Sequence, residues 1–156
     1  MLRGYEGEPI ASLHLVYYDH HAPQGYIEMR LTTLAKRDEL FAEDPADFWD
    51  GWGNPGNIEL GEVAGPLMDK CYEFISVDGQ EESNMKSYRD TLAAAALSIN
   101  SALPQSPTLS SDFVVVLGDG SRWTGGCHPN DVLDCISPSQ RQQLIENGYW
   151  DASDQY

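Results

Sequence analysis

The sequence predicts an α+β fold in which an antiparallel sheet of about four strands has helices packed on one face. Three patterns lead to this prediction. Side chains alternate in polarity over residues 26–33, which is the period of a half-buried strand. Apolar side chains recur at helical spacing over residues 80–103, and a continuous apolar run at 113–117 is typical of a buried strand. The length of 156 residues fits a single domain, residues 1–156, with a polar tail from about 151 that is expected to fray.

The first part of the chain predicts a β-hairpin and a short helix. Residues 10–19 and 26–33 have the pattern of strands, and the segment 20–25 between them contains Pro and Gly, which favour a turn. The two strands are therefore expected to pair antiparallel. A helix is predicted to follow over residues 35–42.

Two helices are predicted in the middle of the chain. The first covers residues 66–77, with Pro66 in its first turn. The second, over about residues 80–103, is the longest helix of the chain. Its apolar stripe consists of Met85, Tyr88, Leu92, Ala95, Ala96, Ile99 and Leu103. The alanines in this stripe favour close packing against a sheet.

The final third of the chain predicts a strand, a tight turn and a capped helix. The strand covers residues 112–117, and the Gly-Asp-Gly segment at 118–120 favours a turn into a short partner strand at 122–124. Ser137 has the position of an N-cap, because proline follows it directly and glutamine stands three residues later. Gly148 is expected to end the helix that begins there.

The charge of the chain restricts its partners more than it restricts its fold. There are 25 Asp and Glu residues against 9 Lys and Arg, so the formal net charge is −16. Such a surface repels the phosphates of nucleic acids, which excludes them as direct ligands. It attracts a basic protein, because complementary charge steers association. Apolar residues still make up 41% of the sequence, which is enough to build a core.

The sequence also predicts where in the cell the protein is located. No apolar run approaches the roughly 20 residues of a membrane span, and the first nine residues lack the apolar core of a signal peptide. The three cysteines, Cys71, Cys127 and Cys135, have irregular spacing that does not predict a disulfide framework. A cytoplasmic protein without membrane contact is therefore expected.

The candidates for catalysis or metal binding are histidine and cysteine residues. His20 and His21 follow Asp19, and His128 follows Cys127, so both pairs contain metal-ligand or acid–base residue types. Adjacent side chains at a strand end point to different sides, and there is no Cys-x-x-Cys pair. We therefore predict no catalytic residue, no metal and no cofactor. A small metal-dependent or Cys/His hydrolase is the alternative, and it requires these residues to converge in one pocket.

The strongest candidate for binding is the segment 43–57, which mixes acids with large aromatics. The candidate partner-binding residues are Asp44, Asp47, Phe48, Trp49, Asp50 and Trp52. Aromatic side chains provide most of the energy at many interfaces, and acids complement a basic partner. The alternative is that the aromatics pin a loop to the core while the acids are solvated. A second acidic candidate is the C-terminal stretch 149–154, which begins with Tyr149.

The layout of the chain resembles the small α+β immunity proteins of bacterial polymorphic toxin systems, many of which are known only as domains of unknown function. The resemblance lies in the strand pair LHLVYYD…GYIEMRLTTL, the loop FWDGWGN, the long central helix and the late strand DFVVVLGDGSRW. It implies cytoplasmic neutralisation of a cognate toxin, without catalysis or cofactor. It carries over no individual binding residue.

The leading hypothesis is thus a non-enzymatic immunity protein that occludes a basic partner, namely a secreted or contact-delivered toxin. A nuclease toxin would suit this surface, because its substrate cleft has to be positive. The alternative is a DNA-mimic inhibitor of a nucleic-acid-binding protein, which would arrange its carboxylates in rows. The long amphipathic helix also allows a homodimer.

Overall fold

A computed structural model describes residues 7–18, 24–43, 69–102, 107–119 and 129–149. The strands are β1 (Ile10–Tyr18), β2 (Gln24–Thr33) and β3 (Leu109–Asp119). The helices are α1 (Leu34–Glu43), α2, whose described part covers 69–75, α3 (Glu81–Ala102), α4 (Pro129–Cys135) and α5 (Pro138–Glu146). The α+β class is confirmed. The possible fray of the tail from 151 lies outside the described residues.

In the described part of the chain, the sheet has three strands in the order β2-β1-β3. β1 and β2 pair antiparallel, with Leu15 opposite Met29, which confirms the predicted hairpin. β1 and β3 pair parallel, with Leu15 opposite Leu117, so the expectation of a fully antiparallel sheet is wrong. Alternation in a sequence identifies a strand but carries no information on its direction. A parallel neighbour needs a long crossover, and the chain between β2 and β3 includes α3.

The turn predicted at 118–120 begins too early. β3 continues through Gly118 and Asp119, both of which are buried and pair with β1. Gly120 and the partner strand expected at 122–124 lie outside the described residues. The fourth strand therefore stays a prediction.

The two faces of the sheet differ in polarity. Neighbouring strands place apolar side chains on one face, called the apolar face below: Leu13, Leu15, Tyr17, Met29, Leu31, Val115 and Leu117. The opposite face, called the polar face, carries Ser12, His14, Arg30 and Thr32 beside Val114 and Val116. This assignment follows from register, because directly opposed residues share a face.

Helices cover both faces, so the expectation of helices on one face only is wrong. On the apolar face, Tyr17 lies beside Met85 of α3. On the polar face, Arg37 of α1 and Leu144 of α5 line a cavity together with Ser12. The physical reason is visible in β3, whose residues 114–117 are all at most 4% exposed. Successive side chains of a strand point to opposite faces, so an unbroken apolar run requires cover on both.

Helix α3 buries a different set of side chains from the one that the sequence predicts. Its buried side chains are Asn84, Met85, Tyr88, Leu92, Ala93 and Ala96. The predicted members Ala95 and Ile99 face solvent, and Ile99 is 41% exposed, while the predicted member Leu103 lies outside the described residues. The inward position of the last turns belongs instead to Asn100. Among the described residues, no helix has the length and apolar character that crossing a membrane requires.

Asn100 joins α3 to β3 and α4. Its side-chain amide donates to the carbonyls of Val115 (2.8 Å) and Cys135 (2.7 Å), and its Oδ1 accepts from the Val115 N–H at 2.7 Å. The amide therefore pairs with Val115 in the way a neighbouring strand would. It satisfies backbone groups on the side of β3 that faces away from β1. An apolar residue at this position could not do so.

Helix α5 begins and ends as the sequence predicts. The Ser137 side chain accepts from the backbone of Gln140, and the Gln140 side chain accepts from the Ser137 N–H, which completes a capping box. Asn147 is the last residue with helical geometry, and Gly148 follows it with φ +80°. That left-handed geometry favours glycine, so the termination signal is confirmed.

We expect Asn100→Ala to lower the free energy of unfolding by about 3 kcal/mol, because it leaves buried backbone groups of β3 and α4 without their partner. Urea denaturation measures this loss. Ser98→Ala, on the exposed side of the same helix, is the control and should change stability by less than about 0.5 kcal/mol. A loss below about 1 kcal/mol for Asn100→Ala would contradict the bridging role.

Candidate functional site

The six predicted partner-binding residues lie outside the described residues. They are Asp44, Asp47, Phe48, Trp49, Asp50 and Trp52. Their assignment to a binding surface therefore stays a prediction.

Only some of the histidine and cysteine candidates lie within the described residues. His20, His21, Cys127 and His128 lie outside the described residues. Cys135 is buried in the core and Cys71 is half-buried. Within the described ranges, no group of three or more His, Cys, Asp or Glu side chains is placed to hold a metal ion.

A second acidic surface with aromatic side chains lies on α2 and the start of α3. We call it the acidic–aromatic surface, and it consists of the exposed residues Asp69, Tyr72, Glu73, Phe74, Val77, Asp78, Glu81 and Glu82. Tyr72, Phe74 and Val77 are 49%, 47% and 42% exposed. Tyr72 and Phe74 stand two residues apart in a helix, so they lie on different sides of α2. Exposed aromatics and carboxylates within one segment are still the two features that an interface with a basic protein uses.

The acidic–aromatic surface is held in place from its inner side. Ile75 is fully buried and Cys71 packs against the core, so α2 has one anchored side. Asn84 of α3 donates to the carbonyl of Phe74 at 2.7 Å and fixes the end of α2. Glu81 and Glu82 stand in the first turn of α3, where the helix dipole favours negative charge. The aromatic side chains therefore stand on a fixed backbone.

An open groove of about 560 Å³ adjoins this surface and shares Glu82 with it. Tyr17 of β1 and Met85 of α3 line it with apolar area, and Lys86 and Arg89 line it with positive charge. Both cations are paired with acids. Lys86 contacts Asp90 at 2.5 Å, and Arg89 contacts Asp134 at 2.7 Å. The groove is thus lined by apolar side chains and by basic side chains that are already paired with acids.

The polar face of the sheet contains a buried Ser–His pair. Ser12 Oγ and His14 Nε2 share a hydrogen bond of 2.9 Å, and Arg30 lies opposite His14 on β2. His14 is 4% exposed. Burial, reinforced by the positive charge of Arg30, lowers the pKa of His14 to about 4. The imidazole is therefore neutral at physiological pH.

A buried ion pair lies on the same face. Arg37 of α1 contacts Asp112 of β3 at 2.9 Å, and both side chains are almost fully buried. Burial alone would raise the pKa of Asp112, but the hydrogen bond and charge of Arg37 hold it below its usual range. Burial likewise opposes the charge on Arg37, yet Asp112 raises its pKa. The pair is therefore ionised on both sides.

Tyr149 completes this network, and the remainder of the C-terminal candidate stretch, residues 150–154, lies outside the described residues. Its hydroxyl accepts from Arg37 at 2.9 Å and donates to Asp38 at 2.8 Å. The Arg37 guanidinium lies 4.0 Å from the centre of the Tyr149 ring, a cation–π contact. Asn147 donates to Asp112 at 3.0 Å. The described residues after α5 are thus fastened to α1 and β3.

The Ser–His pair has no space for a substrate. The cavity beside it has a volume of about 10 Å³, which is the space of one water molecule. A nucleophile needs both a base and access to a reacting atom, and here the second condition fails. This pair acts in packing and hydrogen bonding.

Comparison of the chain with protein-family models, with curated proteins and with solved structures finds no match.

The buried polar residues of the site could not be predicted from the sequence. Ser12 and His14 stand two residues apart in an alternating strand, where polar residues ordinarily face water. Asp112 precedes an apolar run and has the appearance of a flanking charge. The α1 side chain that covers them, Arg37, is unremarkable in sequence. The exposed side chains Tyr72 and Phe74 are better signalled, because the acids Asp69, Glu73 and Asp78 surround them in the sequence.

The lowered pKa of His14 predicts a pH-dependent stability. The unfolded chain, with a histidine pKa near 6.5, binds more protons than the folded chain between pH 6.5 and about 4. Stability therefore falls as the pH falls through this window. Between pH 7 and pH 5, the wild type should lose about 2 kcal/mol more than His14→Gln in urea unfolding.

Ser12→Ala is the matched control for this experiment. It removes the hydrogen bond but leaves the imidazole enclosed, so the pH dependence should persist because burial is its main cause. Identical pH profiles for the wild type and His14→Gln would contradict the assignment to His14.

The buried ion pair predicts a second stability effect. Asp112→Asn leaves the Arg37 charge buried without its carboxylate, and we expect a loss of about 3 kcal/mol in urea denaturation at pH 7. Glu39→Ala breaks the exposed pair of Glu39 with Lys36 and should cost less than about 1 kcal/mol. Equal losses of unfolding free energy for the two variants would show that the buried pair contributes no more to stability than the exposed pair does.

Proposed function

We propose that the chain is a non-enzymatic acidic binding protein that neutralises a cognate protein toxin by occluding it. The observation that carries the proposal is the acidic–aromatic surface on α2 and α3. Its five carboxylates, at Asp69, Glu73, Asp78, Glu81 and Glu82, stand beside the single base Lys70 within residues 69–82. Together with a net charge of −16, this arrangement favours a basic partner.

The division of polar groups within the fold supports a binding role. The polar face, with Ser12, His14, Arg37 and Asp112, is enclosed, and its cavity is too small for a substrate. The exposed surface, in contrast, carries unburied aromatics and the open groove. A partner side chain can enter the groove over Tyr17 and Met85 while basic neighbours contact Glu82.

The toxin on this proposal is secreted or contact-delivered, and the protein acts in the cytoplasm. Carboxylates at the interface take the place of the phosphates that a basic nuclease cleft would bind. Long-range attraction brings the two proteins together, and the aromatics provide the short-range contact. The resemblance of the layout to immunity proteins agrees with this role.

The first test is capture with the tagged full chain from a lysate of its source cells at about 50 mM and about 300 mM salt. We expect one basic partner that is released as salt rises, because screening weakens charge attraction. The partner, expressed alone, should inhibit growth, and co-expression of this chain should restore growth. Capture of a nucleic-acid-binding protein without toxicity would instead favour a DNA-mimic inhibitor. Absence of any partner would overturn the binding proposal.

Charge reversal locates the surface. With the captured partner, Glu73→Lys combined with Glu81→Lys should slow association at least about tenfold at low salt and weaken its salt dependence. The matched control is Glu39→Lys combined with Glu146→Lys, which changes the net charge equally but on α1 and α5, the helices of the polar face. Equal effects of the two double variants would contradict a localised surface.

The segment around Trp49 is tested in the same assay. Asp47→Lys combined with Asp50→Lys also changes the net charge by the same amount. If this pair slows association and the α2–α3 pair does not, the partner binds through the segment 43–57. An unchanged rate for Asp47→Lys with Asp50→Lys would remove that segment from the interface.

A further inference from the structure

The wall of the small cavity on the polar face contains both polar and apolar residues. Four of the residues that line the cavity, Ser12, His14, Thr32 and Arg37, have polar side chains. Side chains of β1, β2 and α1 thus meet there. We propose that this cavity is a binding site for a single water molecule, held by Thr32 together with polar groups of Ser12, His14 or Arg37.

The volume agrees with one water and with nothing larger. The cavity measures about 10 Å³, which is close to the smallest volume that accommodates a water molecule. Two to four polar partners are needed to hold a buried water, and the four polar side chains in the wall supply that number. A purely apolar cavity of this size would stay dry.

Thr32 shows where the water is bound. This side chain is 3% exposed, and its Oγ1 makes no hydrogen bond to any of the residues that the structure describes. A buried hydroxyl without a partner costs about 1–3 kcal/mol. A bound water at Thr32 removes this cost.

The site lies where the β1–β2 ladder meets α1 and the buried ion pair. Ser12 lies opposite Thr32 in the β1–β2 ladder, and Arg37 reaches the cavity from α1 while it is paired with Asp112 of β3. A water held here connects the hairpin to the ion pair that fastens β3. It therefore acts as part of the packing between the sheet and α1.

Crystallography and one isosteric variant test the site. In a crystal structure of the full chain at high resolution, we expect a single density peak within about 3.2 Å of Thr32 Oγ1. Thr32→Val keeps the shape of the side chain but removes the hydroxyl, so the water loses a partner. The equilibrium constant for folding should then fall about fivefold in urea denaturation at pH 7.

The opposite results overturn the proposal. If the cavity is dry, Thr32→Val deletes a hydroxyl that has no partner and should leave the protein at least as stable as the wild type. Density at the site keeps the test valid even if the variant fails to fold. Either a wild-type cavity without density or a Thr32→Val protein with undiminished stability is sufficient to reject the water site.

Discussion

The burial of strand β3 is the constraint on which the remaining structure depends. Its residues 114–117 are almost inaccessible to solvent, so every backbone N–H and C=O there has to find a partner inside the protein. β1 satisfies one edge by parallel pairing, and Asn100 satisfies Val115 on the other. The two faces need cover as well, which explains why α3 packs on one side and α1 and α5 on the other. The positions of α1, α3 and α5 therefore follow from the requirements of this strand.

The polar face is a second consequence of the same arrangement. Covering both faces encloses Ser12, His14, Arg37 and Asp112, and each of them is stable there only because a neighbour compensates it. His14 is neutral and hydrogen-bonded to Ser12, while Arg37 and Asp112 neutralise one another. The ladder between β1 and β3 is irregular near Ile10, in the stretch of β3 that contains Asp112. Irregular pairing of this kind re-aims side chains, and here it accompanies a buried carboxylate.

Much of the secondary structure follows from the sequence, because it depends on local rules. The β1–β2 hairpin, the extent of α3 and both ends of α5 are set by alternation, helical spacing and the signals at Ser137 and Gly148. The direction of β3 and the cover on both faces depend on contacts between distant segments, which periodicity does not record. For the same reason Asn100 is invisible as a bridging residue, since its role exists only beside Val115. The acidic–aromatic surface has the same chemistry, acids with aromatics, as the predicted segment 43–57, whose assignment to an interface stays a prediction. Asp69, Tyr72 and Glu73 have that chemistry as clearly as the segment around Trp49 does.

The parallel pairing of β1 with β3 also determines the order in which the chain can acquire its structure. Ser12 pairs with Val114, a separation of roughly a hundred residues, and contacts so distant form slowly because a long loop has to close first. During synthesis on the ribosome, β1 and β2 emerge long before β3 and can form their hairpin alone. The edge of β1 that β3 later occupies is then open to other chains, as is the apolar side of the hairpin. Such intermediates are prone to aggregation. The high negative charge of the chain opposes aggregation, since partly synthesised copies repel one another before β3 has been made.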